Sequence, residues 1–145
     1  MARFLYANRP SKHIQRRMVV DACRRLRVFS SLCDYRYVGF GAYEFVNFEL
    51  VRRELGIVQM DSIEQDTRYE DRYLFNRPFA EIEVHFDTAN NVLPNLLEEA
   101  ALRVVWLDYT SGLNQKVLQD VGICIRKLTP GSVLNRPGKA GGLIA

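Results

Sequence analysis

The chain of 145 residues has 48% hydrophobic and 26% charged residues and a formal net charge of +3, values typical of one globular domain that buries a core without disulfide or metal staples. No apolar run approaches the roughly 20 residues that span a bilayer, and the N-terminus lacks the apolar core of a secretory signal, so we expect a cytoplasmic protein. The three cysteines and two histidines show no CxxC spacing and no clustering, so neither a disulfide framework nor a metal site is predicted.

The segment from Arg3 to Arg27 is much more basic than the rest of the chain, and Asp21 is its only acid. Apolar residues recur at every fourth position after Pro10, namely Ile14, Met18, Ala22 and Leu26. This spacing predicts a helix that buries these four residues and exposes its arginines. The basic face is interpreted either as a solvated surface or as a surface that contacts nucleic-acid phosphates. The residues that would make the phosphate contacts are Lys12, Arg16, Arg17 and Arg24.

A strand, a glycine turn, a helix and a second strand follow one another between Tyr35 and Glu64. The first strand, 35–38, precedes the turn Gly39-Phe40-Gly41, and the helix, 45–55, ends at Gly56. Such a unit builds the nucleotide-binding crevice of an open parallel sheet, because glycines let the backbone approach a ligand. The alternative is a tight strand-to-helix turn that binds no ligand.

A carboxylate, Glu64, stands at the end of the second strand, which is predicted over 57–63. Carboxylates at this place in open parallel sheets accept hydrogen bonds from ribose hydroxyls. We therefore expect Glu64 to bind the ribose of a nucleotide-like ligand that lies over the glycine turn.

The remaining elements alternate between helix and strand. They are a short polar helix over 67–75, a strand over 81–86, a helix over 93–101, a strand over 102–107 and a helix over 117–128. The strand over 102–107 is the most apolar, so we expect it to lie in the centre of the sheet, beside 35–38. It leads into Asp108 and Tyr109, and Asp87 follows the strand before it.

The C-terminal part of the chain contains closely spaced glycine and proline residues. A turn at 128–131 leads toward a fifth strand that these residues interrupt. We predict a domain over 1–134 followed by a flexible tail over 135–145.

The order of these motifs resembles the class I S-adenosylmethionine-dependent methyltransferases. More closely, the runs RPSKHIQRRM, YRYVGFGAYEF, LGIVQMDSIE, FNRPF and WLDY look like a bacterial family of O-methyltransferases. The resemblance covers roughly Asn8 to Leu134 and implies an α/β, Rossmann-like three-layer sandwich with a mainly parallel sheet. It also implies an incomplete methyltransferase-type core, since the pattern ends after the fourth or fifth strand.

The resemblance implies S-adenosylmethionine as the cofactor and assigns roles by position. The cofactor-binding residues would be Gly39, Phe40, Gly41, Glu64 and Asp87. Asp108 and Tyr109 would stand at the reaction site, Asp108 as a general base or a metal ligand and Tyr109 as the residue that orients the methyl acceptor. The alternative is that Asp108 caps the following loop and Tyr109 packs under the sheet.

Two other classes of function are left open by the sequence. A non-catalytic Rossmann-like module would bind a protein or nucleic acid through the basic segment. A nicotinamide-dependent oxidoreductase would use the same turn and Glu64, although such enzymes have a third glycine where this chain has Glu44. The partners expected from the sequence are therefore the small-molecule cofactor and a methyl acceptor of unknown identity, with nucleic acid as an open alternative, and no contact with a membrane is predicted.

Overall fold

The computed structural model describes residues 10–137 and, for the backbone alone, 143–144. The helices are α1 (Pro10–Arg24), α2 (Val46–Leu55), α3 (Glu70–Asn76), α4 (Ala89–Leu96) and α5 (Gln115–Lys127). The strands are β1 (Arg36–Gly39), β2 (Met60–Ile63), β3 (Ile82–His85), β4 (Arg103–Trp106), β5 (Val133–Asn135) and β6 (Leu143–Ile144). Short 3₁₀ turns occupy 25–28, 32–34 and 67–69.

The strands form one sheet in the order β3-β2-β1-β4-β5-β6. The first five are parallel, and β6 is antiparallel to β5. β1 pairs with both β2 and β4, which confirms the prediction that the first and the most apolar strands are central neighbours. The parallel order of these strands also confirms the α/β, Rossmann-like fold class.

Helices cover both faces of the sheet, so each central strand is buried on both sides. Tyr37 and Val104 point into a core that includes side chains of α1 and α2. Val38 and Val105, the next residues along the same strands, point into a second core with α4 and α5. This alternation follows from the two-residue period of a strand. The three layers hold the carboxyl ends of β1, β2 and β4 side by side.

The predicted buried face of α1 is wrong in part. Ile14 and Met18 are 64% and 65% exposed, whereas the helix buries four other residues: Arg16, Val19, Val20 and Cys23. Of the predicted stripe, Leu26 is buried, in the 3₁₀ turn that follows α1. Two apolar stripes compete on this helix, and the one containing the adjacent valines meets the core. This rotation also directs Arg16 inward, against the prediction that the arginines are exposed.

The helix between β3 and β4 begins four residues earlier than the sequence predicts. Thr88 precedes α4, and its carbonyl accepts from the backbone N–H of Asn91 and of Val92, so these residues already belong to the helix. Pro94 therefore lies inside the helix rather than in its first turn. The proline lacks one backbone donor, and the helix ends two residues later.

The end of the chain also differs from the prediction at the positions that the structure describes. β5 is complete, it includes Asn135, and Leu143–Ile144 pair with it. Residues 138–142 and 145 of the predicted tail lie outside the described residues. Within the described part of the chain, no helix has the length and apolar character needed to cross a membrane.

Candidate functional site

A cleft opens where the strands end, and it has two adjoining cavities. The α5-side cavity, about 550 Å³, lies between the ends of β2, β3 and β4 and the start of α5. The α1-side cavity, about 410 Å³, lies between α1, α3 and the loop from β1 to α2. Phe40, Ala42, Asp108 and Thr110 line both cavities. Each volume falls within the range of small-molecule sites.

The predicted glycine turn separates the two cavities. The backbone N–H of Gly41 donates to Ser62 Oγ at 3.0 Å, and a Cβ at Gly41 would collide with the Phe45 ring and with that hydroxyl. Gly41 therefore permits a close approach of the turn to its neighbours. The left-handed backbone positions of the turn fall instead on Ala42 and Phe45, both with φ 49°, a strained conformation for residues with a side chain.

Gly39 does not line either cavity, although the sequence places it with Gly41. It is the last residue of β1, and a Cβ there would come within 2.6 Å of the Tyr37 hydroxyl. Gly39 therefore packs against Tyr37 in a space that leaves no room for a Cβ. Phe40 and Gly41 are the residues of the predicted motif that reach the cleft.

Glu64 follows β2 and lines the α5-side cavity, as predicted. Its Oε2 atom is buried and has no hydrogen-bond partner among the described residues. Burial raises the pKa of Glu64 to about 7, against a smaller opposing effect from hydrogen bonds given by the Ala42 backbone N–H and the Tyr73 hydroxyl. One carboxylate oxygen is thus desolvated and able to accept a hydrogen bond from a ligand.

Asp87 follows β3 and lines the same cavity. It accepts a hydrogen bond from the Thr88 backbone N–H at 2.6 Å and one from Asn91 Nδ2 at 3.0 Å. The Thr88 hydrogen bond is the main reason why the pKa of Asp87 lies below its usual value. Asp87 therefore organises the start of α4 while its exposed side chain faces the cleft.

Asp108 follows β4 and lies where the two cavities meet. Lys12 Nζ of α1 donates to its Oδ1 at 2.7 Å, and the two side chains are 20% and 10% exposed. This ion pair fixes the N-terminal turn of α1 over the end of β4. Lys12, which the sequence interpretation placed in a nucleic-acid surface, is thus paired with a residue that lines the cleft.

Tyr109 lines the α5-side cavity, and its hydroxyl donates to Asp120 Oδ2 of α5. Burial raises the pKa of both Tyr109 and Asp120. Asp120 Oδ1 is buried and has no partner among the described residues. Tyr109 is therefore held by α5, with its ring against Phe40 at a centroid distance of 5.0 Å.

The α1-side cavity is lined by cationic and amide side chains. Arg16 donates through Nε to Asn47 Oδ1 at 2.9 Å, and both residues are buried. Arg72 of α3 lies over the ring of Tyr43 at 4.6 Å and lines the same cavity. Arg16 and Arg72 thus bring two guanidinium groups to a lining that also contains the carboxylates of Glu44 and Asp108.

The remaining residues of the predicted basic surface are on α1 but face away from the cleft. Arg24 is paired with Asp21 at 2.8 Å and with Glu54 at 2.7 Å, whereas Arg17 is exposed. The four residues named for nucleic acid therefore do not form one exposed patch.

Sequence reasoning assigned no role to several residues that line the cleft or lie beside it. Tyr73 of α3 is 3% exposed, stacks on Tyr43 at 4.7 Å and faces Glu64. Asn47, in the first turn of α2, has a recognisable signal in the sequence, because it is a polar residue between Val46 and Phe48. Asp120 has a similar signal on the otherwise apolar face of α5.

The fold defines a Rossmann-like protein whose cleft lies at the carboxyl ends of its parallel strands, where proteins of this architecture bind ligands. The chain belongs to the family described as "Putative O-methyltransferase", whose model matches residues 4–136. No curated protein matches the chain. The resemblance to a methyltransferase family inferred from the sequence is thereby confirmed.

Proposed function

We propose that the chain binds S-adenosylmethionine in the cleft and transfers its methyl group to a hydroxyl of a small acceptor. The observation that carries this proposal is the Glu64 carboxylate, which lies at a strand end beside the glycine turn and has a buried oxygen without a partner in the part of the chain that the structure describes. Ribose hydroxyls are hydrogen-bond donors, and a bound ribose would give this oxygen the partner that it does not have among the described residues. Family membership supports the same class of reaction.

The adenosine part of the cofactor would occupy the α5-side cavity. Glu64 would accept from the ribose hydroxyls, with Asp87 facing the adenine edge from the end of β3. The lining residues Phe40 and Ile63 supply apolar contact for the purine ring. This arrangement satisfies the buried Glu64 oxygen, whose desolvation is otherwise uncompensated.

The amino-acid part would extend into the α1-side cavity, past the shared residues Phe40 and Asp108. Its carboxylate would lie in the field of Arg16 and Arg72, the two guanidinium groups that line this cavity. Arginine matches the planar geometry of a carboxylate and keeps its charge when buried. The two cavities thus suit the two ends of one extended ligand.

Methyl transfer from a sulfonium mainly requires alignment of the acceptor oxygen with the methyl carbon, and proximity of this kind contributes up to about 7–11 kcal/mol. In such a transfer the acceptor oxygen would form a bond to the methyl carbon while the carbon–sulfur bond breaks, and the hydroxyl proton would need an acceptor. Asp108 stands where the cavities meet and would take that proton. Lys12 orients its carboxylate, and Tyr109 forms part of the wall beside it.

Calorimetric titration of S-adenosylmethionine into the purified chain tests the proposal. We expect one site, and we expect Glu64→Gln to weaken binding by about tenfold, since a hydrogen bond to a charged group contributes about 1.5–3 kcal/mol. Glu49→Gln removes an equal charge from the exposed face of α2 and serves as the matched control. Equal affinity of wild type and Glu64→Gln for S-adenosylmethionine would contradict the contact between Glu64 and the ribose. Binding of a nicotinamide dinucleotide in place of S-adenosylmethionine would favour an oxidoreductase.

The pH dependence of binding provides an independent check. Ribose hydroxyls donate to the ionised carboxylate, and the pKa of Glu64 in the free protein is about 7. One pH unit below this value only about a tenth of the carboxylates are ionised, so affinity should be about tenfold lower there than well above it. The affinity of Glu64→Gln should not show this dependence.

A further inference from the structure

Three potential metal ligands lie together on β2 and β3, outside the cleft. Asp61 and Glu83 are directly opposite each other in the register of these parallel strands, and His85 stands two residues beyond Glu83. The two-residue period of a strand therefore places all three side chains on one face of the sheet. One ligand atom of each lies within 4.8 Å of those of the other two.

We propose that Asp61, Glu83 and His85 form a binding site for a divalent transition-metal ion, with Zn²⁺ as the best match to this donor set. One imidazole nitrogen and two carboxylates are ligands that zinc accepts, and they balance its charge. Asp61 and His85 are partly buried and Glu83 is exposed, so solvent can reach the remaining coordination position.

The charges around the cluster favour a cation. Two carboxylates directly opposite each other on neighbouring strands repel. His85 Nε2 approaches Asp61 Oδ1 at 2.8 Å, while no cationic side chain of residues 10–137 forms an ion pair with Glu83. Arg103, whose charge also acts on Asp61, donates its guanidinium hydrogens to backbone carbonyls at the end of α4 and in the loop beyond it.

The distances require only small side-chain movements. Tetrahedral zinc with bonds of about 2.0–2.1 Å separates its ligand atoms by about 3.3 Å. The pair at 2.8 Å opens slightly when the ion replaces the shared proton, and the exposed Glu83 carboxylate rotates inward. A bound ion would join β3, which is the edge strand of the sheet, to β2 through side chains as well as through the backbone.

The sequence alone did not predict this site, since it contains two histidines far apart and no ligand motif. The site depends on the register of β2 and β3, which are separated by at least 18 residues along the chain. The three ligands come together only when these two strands pair. Neither the family match nor the proposed methyl transfer requires a metal here, and the inference is independent of both.

The test is a titration of Zn²⁺, and of Co²⁺ for its visible spectrum, into the metal-free chain carrying Cys33→Ser, because Cys33 is an exposed free thiol. We expect one ion per chain with micromolar or tighter affinity, no binding of Mg²⁺ at equal concentration, and a higher melting temperature with Zn²⁺. His85→Gln and Glu83→Gln should each weaken Zn²⁺ binding about tenfold or more.

His13→Gln is the matched control, because it removes the other histidine from the exposed part of α1. Glu83 is exposed, so Glu83→Gln leaves the fold intact and keeps the test decisive even if His85→Gln unfolds. The proposal is overturned if Zn²⁺ does not bind below millimolar concentration, or if Glu83→Gln binds it as tightly as the parent chain. It is equally overturned if His13→Gln alone abolishes binding.

Discussion

The ends of β2 and β4 both present a carboxylate to the cleft, but the protein treats the two groups differently. Glu64, after β2, has a buried oxygen with no partner among the described residues, and burial raises its pKa to about 7. Asp108, after β4, is paired with Lys12 at 2.7 Å. The comparison teaches that the fold buries one carboxylate oxygen without a partner among the described residues, while it holds the other carboxylate in an ion pair.

The largest effect is expected at Gly41, which lies on the turn between these two strand ends. Gly41→Ala places a methyl group against the Phe45 ring and within 2.7 Å of Ser62 Oγ. Overpacking of this kind costs about 1–3 kcal/mol and shifts the backbone. We expect urea denaturation to show that loss, together with loss of S-adenosylmethionine binding. Gly112→Ala, where an added Cβ meets open space, is the control, and equal behaviour of the two variants would contradict the packing role.

Removal of the cation from the β4 end should have the next largest effect. Lys12→Met deprives Asp108 of its ion-pair partner at a largely buried position, and we expect a loss of about 2 kcal/mol in the free energy of unfolding. The double variant with Asp108→Asn should recover part of this loss. A double-mutant cycle measures the coupling, and a coupling energy near zero would mean that the pair does not hold α1.

Tyr109→Phe probes whether the β4 end is organised by α5. The substitution removes the donor to Asp120, whose other oxygen has no partner within the described residues. We expect a destabilisation of about 1–2 kcal/mol, read from the urea midpoint. Tyr69→Phe, at a half-exposed tyrosine, should change stability little, and a similar loss in both variants would argue against a specific role of Asp120.

Glu64→Gln should give the smallest effect on the free protein, and its size depends on pH. The pKa of Glu64 is about 7 in the folded protein, against an ordinary value of 4.5. Between these values the folded chain binds more protons than the unfolded chain, so the stability due to this group is present at low pH and lost as pH rises through 7.

The variant cannot ionise and avoids that loss. Thermal melts should therefore show Glu64→Gln to be more stable than wild type above neutral pH and nearly equal to it near pH 4.5. The pKa shift implies about 3 kcal/mol, and solvent screening of this partly exposed group reduces the expected difference to about 1 kcal/mol. This differs from the expectation for a carboxylate in a solvent-filled crevice, whose removal would leave stability unchanged at every pH. A flat difference across pH would show that Glu64 is not desolvated.

Local sequence patterns determined the order of the elements and the strand ends. The apolar run over 102–107 predicted a central strand, and β4 lies in the centre of the sheet. Glu64, Asp87 and Asp108 were placed at the ends of three strands, and all three line one cavity. These predictions held because strand period, glycine turns and capping residues act over a few neighbouring positions.

Only the tertiary structure decided which residues from distant parts of the chain meet. The sequence did not select the buried stripe of α1, because two stripes were available and only packing against the sheet distinguishes them. That choice sends Arg16 to Asn47 and Lys12 to Asp108. The pairing of Asp61 with Glu83 depends in the same way on the register of β2 and β3. Contacts of this kind depend on how helices pack and strands align, which local periodicity does not encode.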